Sequence, residues 1–197
     1  MIKILGLSGK KRSGKNYTAT IIKELVSPDI RVVEMSFAGA LKKEVATFLD
    51  ITIEELEGEN KEMYRPILQR WGTEFRRNIY GNDYWIKQMD ERIRKLARFS
   101  VLERLGKLIG RKPKDILVII TDVRFPNEAD YVINSGGSMW NISNPDHKDD
   151  SNSSHASETA LDDYEYFTTT LINKKGHEEQ YKTSVSLRLH FYGLYNN

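Results

Sequence analysis

The sequence predicts an α/β protein, a parallel sheet flanked by helices, with a helical middle and a flap. Three observations carry that prediction. The first forty residues read strand, loop, helix, strand, and such alternation builds a parallel sheet with crossover helices. Ile116-Leu117-Val118-Ile119-Ile120 is the longest uninterrupted apolar run, which in an α/β chain marks a strand buried on both faces. Between these, apolar residues recur at helical spacing, as in Leu41, Val45, Phe48 and Leu49. The chain is 197 residues long, a length that favours one domain. The expected plan is a sheet core at about 1–40 and 114–197, a helical region at about 41–113 and a flap at about 143–157.

Each element has its own signal. Ile2 to Leu7 reads as a short strand, and Ser8 to Lys15 as a loop rich in Gly, Ser and Lys. Tyr17 to Val26 is a helix with Ala19, Ile22 and Val26 on its apolar face, stopped by Ser27-Pro28. Ile30 to Phe37 holds the next strand. Ile53 to Glu57 reads as an acidic turn. Met63 to Tyr80, Tyr84 to Ala97 and Val101 to Ile109 are separate helices, and Gly110-Arg111-Lys112-Pro113 breaks the pattern. Asn127 to Ser135 is a helix that leaves through Gly136-Gly137 into a strand at Ser138 to Ile142. Ser143 to Ser157 is polar without periodicity. Tyr166 to Ile172 is β-rich, and Gln180 to Leu194 closes the chain as a helix.

Composition excludes several classes. There is no cysteine, hence no disulfide scaffold, thiolate zinc site or thiol nucleophile. The four histidines show no metal-like spacing. No apolar segment approaches the roughly 20 residues that span a bilayer. Thirty basic and 28 acidic residues leave a net charge of +2, which argues against a whole-surface polyanion binder. The small total is a cancellation. Residues 91–114 carry nine basic and two acidic side chains, residues 143–165 one basic and seven acidic, and four of the six residues from Lys10 to Lys15 are cationic.

The strongest motif is Gly9-Lys10-Lys11-Arg12-Ser13-Gly14-Lys15, a GxxxxGK phosphate loop between a strand and a helix. Its glycines let backbone N–H groups converge on phosphate oxygens, and the helix N-terminus adds positive potential. Lys15 would bridge the outer phosphates. Asn16 stands where Ser or Thr usually offers a hydroxyl to Mg²⁺, and an amide oxygen is also a ligand for a hard cation. Ile119-Ile120-Thr121-Asp122 is an apolar strand ending in Asp, the Walker-B pattern. Asp122 is therefore a metal candidate, and Arg124 a phosphate partner. The alternative makes Asp122 a helix cap. Arg65, Gln69 and Thr73 recur every four residues and could share a helical face. Trp85 could stack on a base or pack in the core. Asn173, in the loop after the last strand, is a candidate adenine contact. His155 lies in the flap, either a base or a helix-end contact.

Together these pieces resemble the deoxynucleoside monophosphate kinases of tailed bacteriophages. The residues that carry the resemblance are Gly9 to Lys15, Phe37-Ala38-Gly39-Ala40-Leu41-Lys42, the Arg65 to Thr73 run, Tyr84-Trp85, Thr121-Asp122-Val123-Arg124 and His155 with Glu158. They follow in order over roughly residues 2 to 190. The resemblance implies a P-loop kinase core with a helical monophosphate-binding region and a lid. It implies ATP as donor, Mg²⁺ as counter-ion and deoxynucleoside 5′-monophosphates as acceptors. Lys42, Arg65, Gln69, Gly72, Thr73, Trp85 and Glu158 would line the acceptor pocket, with Asp122 near the reaction centre. Gly9, Lys11, Arg12, Ser13, Gly14, Lys15, Asn16, Tyr17 and Thr18 would surround ATP. The family often has Asp-Thr after the loop lysine, where Asn16-Tyr17 stand here.

The expected chemistry is in-line transfer of a γ-phosphoryl group to an acceptor phosphate oxygen that is already ionised. No general base is required. Lys15, Mg²⁺ and one or more of Arg12, Arg65 and Arg124 would neutralise charge, and flap closure would exclude water. The expected partners are small molecules, with no membrane and no nucleic acid, a homodimer as one assembly, and a cytoplasmic location, the host cytoplasm if the chain is phage-encoded. Two other readings remain. One is a P-loop kinase for dephospho-coenzyme A or phosphomevalonate. The other is a nucleotide-dependent nucleic-acid-binding protein, prompted by the basic run at 91–114.

Overall fold

The computed structural model describes residues 1–105, 114–146 and 159–194, with backbone alone at 102–105. The chain divides into two compact units, one of Met1–Met35 with Leu102–Asn197 and one of Ser36–Val101.

The first unit is built on five strands: β1 (Ile2–Ser8), β2 (Ile30–Met35), β3 (Asp115–Ile120), β4 (Ser138–Ser143) and β5 (Thr169–Ile172). Their order is β2-β3-β1-β4-β5, and every pairing is parallel. β1 is central, with Gly6 beside Ile120 on one side and Met139 on the other. Ile116 to Ile120 are all buried, as the apolar run predicts for a strand covered on both faces. One core packs Leu5, Leu7, Leu117, Ile119, Trp140 and Ile142 against Ile22 of α1 (Lys15–Leu25) and against Tyr181, Val185 and Leu189 of the C-terminal helix α8 (Glu178–Phe191). Burying each such aliphatic side chain contributes about 1.5–3 kcal/mol. Ala129 and Val132 of α7 (Pro126–Asn134) are also buried.

The second unit holds α2 (Phe37–Leu49), α3 (Ile53–Glu57), α4 (Lys61–Arg70), a π-helix (Trp71–Arg77), the single turn α5 (Asn78–Tyr80) and most of α6 (Tyr84–Leu105). Its small core centres on Val45, Ala46 and Leu56, with Leu41, Leu68 and Trp71 packed around them.

Several boundaries differ from expectation. The acidic turn is a short helix, because Thr52 accepts from the Glu55 amide while Glu55 accepts from the Thr52 amide, a capping box. The helix expected over Met63 to Tyr80 changes hydrogen-bond register at Trp71 and continues as a π-helix. The break expected after Ala97 is absent: α6 runs unbroken to Leu105, consistent with Arg98 to Leu105 holding neither Gly nor Pro. β5 begins at Thr169 rather than Tyr166. Before it, Tyr164 meets the rings of Tyr166 and Phe167 edge-on, with centroids at 5.7 and 5.2 Å.

Candidate active site

The crevice in an open parallel sheet lies outside the carboxyl ends of the strands, where the chain order reverses. Here that point is the end of β1, between β3 and β4. A cleft of about 550 Å³ opens there, lined by Gly9, Lys10, Lys11 and Ser13, by Arg124 after β3, by Asn141 and Asn144 at the end of β4, and by Asp162 and Tyr164.

The loop geometry follows from its residue types. Gly9 and Gly14 have φ of 138° and 102°, a region that favours glycine. A Cβ on Gly9 would lie 2.1 Å from the Ile142 carbonyl oxygen, and one on Gly14 2.1 Å from the Asn173 amide nitrogen. Arg12, at the tip, also has positive φ at 61° and is exposed. Lys15 Nζ donates to the carbonyls of Gly9 at 2.6 Å and Lys10 at 2.8 Å, which folds the ammonium into the ring of the loop. Gly14 precedes α1 with no side-chain cap, and the first turn has no acidic residue. A helix start of this kind suits an anion.

The loop is braced from behind. Asn173 Nδ2 donates to the Ser13 carbonyl at 3.1 Å. Thr18 Oγ1 donates to the Gly14 carbonyl and lies 2.6 Å from the Tyr181 hydroxyl. Burial pushes the Tyr181 phenol up to about 12. Tyr17 is partly exposed and stacks on Tyr181 at 6.2 Å. Asn16 is exposed at the first turn of the helix.

A phosphate chain fits this loop. Ser13 Oγ is buried and has no hydrogen-bond partner among the described residues, an unmet donor inside a glycine cradle a Cβ would fill. For Mg²⁺ the fit is partial. No group of three or more His, Asp or Glu gathers among the described residues. Mg²⁺ in phosphoryl-transfer sites needs only one or two carboxylates beside the substrate phosphates, and Asp122, half-buried after β3, is such a group.

The remaining expected residues belong to the helical unit, apart from Glu158, which lies outside the described residues, as does His155. Lys42 is ion-paired with Glu57. Arg65 pairs with Glu62 at 3.4 Å and is otherwise exposed, as are Gln69 and Thr73. Arg65 and Gln69 share α4, whereas Thr73 lies in the π-helix, so the four-residue spacing does not carry through to it. Trp85 is 3% exposed and donates from Nε1 to the Gly72 carbonyl at 3.1 Å. That burial favours the packing alternative for Trp85 over an open stacking face. Of the basic run at 91–114, Lys95 pairs with Glu91, and Arg94, just inside it, pairs with Asp90, as on an ordinary solvated helix face. Residues 106–113 of that run lie outside the described residues.

Two features went unforeseen. Glu128, 2% exposed, accepts from the backbone amides of Arg124 and Phe125. Pro126 at N1 with Glu128 at N3 was the available sequence signal. The other feature is Glu44, which accepts from Trp71 Nε1, Arg76 Nε and the Tyr84 hydroxyl. Burial opposes its ionisation, but these three donors outweigh it, and its carboxyl sits below the usual range. Burial together with Glu44 pushes Tyr84 up to about 12.

Two sequence comparisons point to a kinase. The family model for phosphomevalonate kinase matches residues 7–137. A protein of Acanthamoeba polyphaga mimivirus, described provisionally as a deoxynucleotide monophosphate kinase, is 29% identical over 188 residues, covering 93% of this chain and 94% of its own. A sugar kinase from Janibacter sp. aligns over 98% of this chain and 96% of its own, at 11% identity and a TM-score of 0.46. Among the described residues no helix is long and apolar enough to cross a membrane.

Proposed function

Because this chain belongs to the phosphomevalonate kinase family and is thus a small-molecule kinase, we propose that it transfers the γ-phosphoryl group of ATP to a deoxynucleoside 5′-monophosphate. The observation that carries this choice of acceptor is the near full-length match to the mimivirus protein. That match spans both units, whereas the family model stops at residue 137. The serial order of motifs, resembling phage deoxynucleoside monophosphate kinases, supports the same acceptor.

The chain's own groups suit this chemistry. The acceptor phosphate oxygen is already anionic near neutral pH and needs no base. What the transfer requires is alignment and charge neutralisation. The loop amides and the unmet Ser13 hydroxyl would hold the donor phosphates. Lys15 would follow the β- and γ-phosphates, with Arg12 and Arg124 facing the charge that spreads over the transferred group. Asp122 and Asn16 would hold Mg²⁺, which neutralises phosphate charge when bound. Lys42, Arg65, Gln69, Gly72 and Thr73 of the helical unit would take the acceptor, with Trp85 holding Gly72 through its bond to that carbonyl.

The second reading takes phosphomevalonate as acceptor, and the family match itself favours it. A coupled ADP-release assay separates the two when run over the four deoxynucleoside monophosphates, the ribonucleoside monophosphates, phosphomevalonate and dephospho-coenzyme A. The proposal expects turnover with at least one deoxynucleoside monophosphate and at least tenfold lower kcat/KM with phosphomevalonate. The opposite order would overturn it.

A further inference from the structure

The segment from Thr121 to Phe125 follows β3 and carries Asp122 and Arg124. Its backbone is fixed at four amides. Thr121 donates to the Met35 carbonyl at 3.1 Å and Val123 to the Leu7 carbonyl at 3.2 Å. Arg124 and Phe125 both donate to one oxygen, Oε2 of Glu128, at 2.9 and 3.2 Å. The first two acceptors belong to neighbouring strands and come with the sheet. The last two share one side-chain acceptor.

That side chain is buried. Glu128 is 2% exposed, and burying a carboxylate costs several kcal/mol unless it is well paired. Capping a helix does not require burial. Glu55 does the same work at α3 from a solvent-exposed position. What distinguishes Glu128 is the identity of one amide it holds. Arg124 lines the phosphate-loop cleft, so the carboxylate sets the point from which that guanidinium is aimed.

We propose that Glu128 is a positioning residue that acts on phosphoryl transfer through Arg124. This rests on the reading of the cleft as a phosphoryl-transfer site. A guanidinium displaced by about 1 Å loses on the order of 100-fold in rate, and a freed Arg124 backbone permits such a displacement.

The test is a double-mutant cycle on the full chain, with transfer from [γ-³²P]ATP to the deoxynucleoside monophosphates read as kcat. Glu128→Ala should lower kcat about 10- to 100-fold with KM for ATP changed less than threefold. In the Arg124→Ala background the same substitution should cost less than threefold. Glu128→Gln keeps a carbonyl oxygen at the site and should retain more than a tenth of the rate. A merely structural Glu128 would cost the same factor in both backgrounds, and that result would overturn the proposal. If Glu128→Ala does not fold, the cycle is run with Glu128→Gln, whose smaller loss must likewise vanish beside Arg124→Ala. A wild-type chain silent on every acceptor would sink the kinase reading instead. An active wild type with additive losses would sink only the role of Glu128.

Discussion

Lys15 is where the sequence motif meets the proposed chemistry. Its ammonium sits within the phosphate loop on the Gly9 and Lys10 carbonyls. Lys15→Ala should lower transfer by 100-fold or more, the scale of removing one preorganised charge from a transition state. The fold should survive, with a Tm shift of a few degrees at most. Near wild-type turnover would remove Lys15 from the mechanism. Glu44 gives a prediction of a different kind. Its carboxyl is held below the ordinary 4.5, so its contribution to stability is present above that pH and is lost as pH falls through the lowered value. Glu44→Gln should therefore flatten the wild type's loss of stability below about pH 4.5, as urea titrations at a series of pH values would measure. An unchanged slope would show that Glu44 is not coupled to folding. The loop residues were legible in the sequence because glycine and lysine at that spacing, between a strand and a helix, suit little besides a phosphate. Glu44 was not, because its partners lie far along the chain, whereas Glu128 left only the local signal of Pro126 at N1 and itself at N3.

The elements behaved likewise. β3 was legible from five consecutive apolar residues, and α1 from its place after the loop. The π-helix was not. In an α-helix, residues five apart point in different directions, but in a π-helix they share a face. Trp71 and Arg76 are five apart, and both donate to Glu44 Oε2. The Arg76 guanidinium lies 5.0 Å over the Trp71 ring and within 5.6 Å of Tyr80 and Tyr84. The long-range bond to Glu44, invisible to local periodicity, accompanies the register change. Arg76→Ala should destabilise the helical unit by about 1–3 kcal/mol, since it leaves a half-buried carboxylate short of its cation. Chemical denaturation would show it as a lower midpoint, and an unmoved midpoint would contradict the account of the π-helix. At the other unit, Tyr181→Phe removes the hydroxyl beside Thr18 and should cost about 1 kcal/mol. A loosened α1 should also raise KM for ATP severalfold, and an unaltered KM would mean that this brace does not reach the phosphates.

At the scale of the molecule, the parallel order β2-β3-β1-β4-β5 puts the loop, Asp122 and Arg124 at one edge of the sheet. Those parts suit any phosphate-bearing donor and leave the acceptor unspecified. The acceptor's identity was the least legible feature in the sequence, because it depends on the shape of a pocket, which in the proposed reading Lys42, Arg65 and their neighbours would form, and spacing along a helix does not fix shape. The kinase core is common ground between the two acceptor readings. The most direct measurement is a competition in one tube. ATP is mixed with equal concentrations of the four deoxynucleoside monophosphates and phosphomevalonate, and the products are followed by ³¹P NMR. A deoxynucleotide kinase should give β-phosphate signals of a deoxynucleoside diphosphate rising in step with ADP while phosphomevalonate is spared. Growth of mevalonate diphosphate with the deoxynucleotides untouched would contradict that reading.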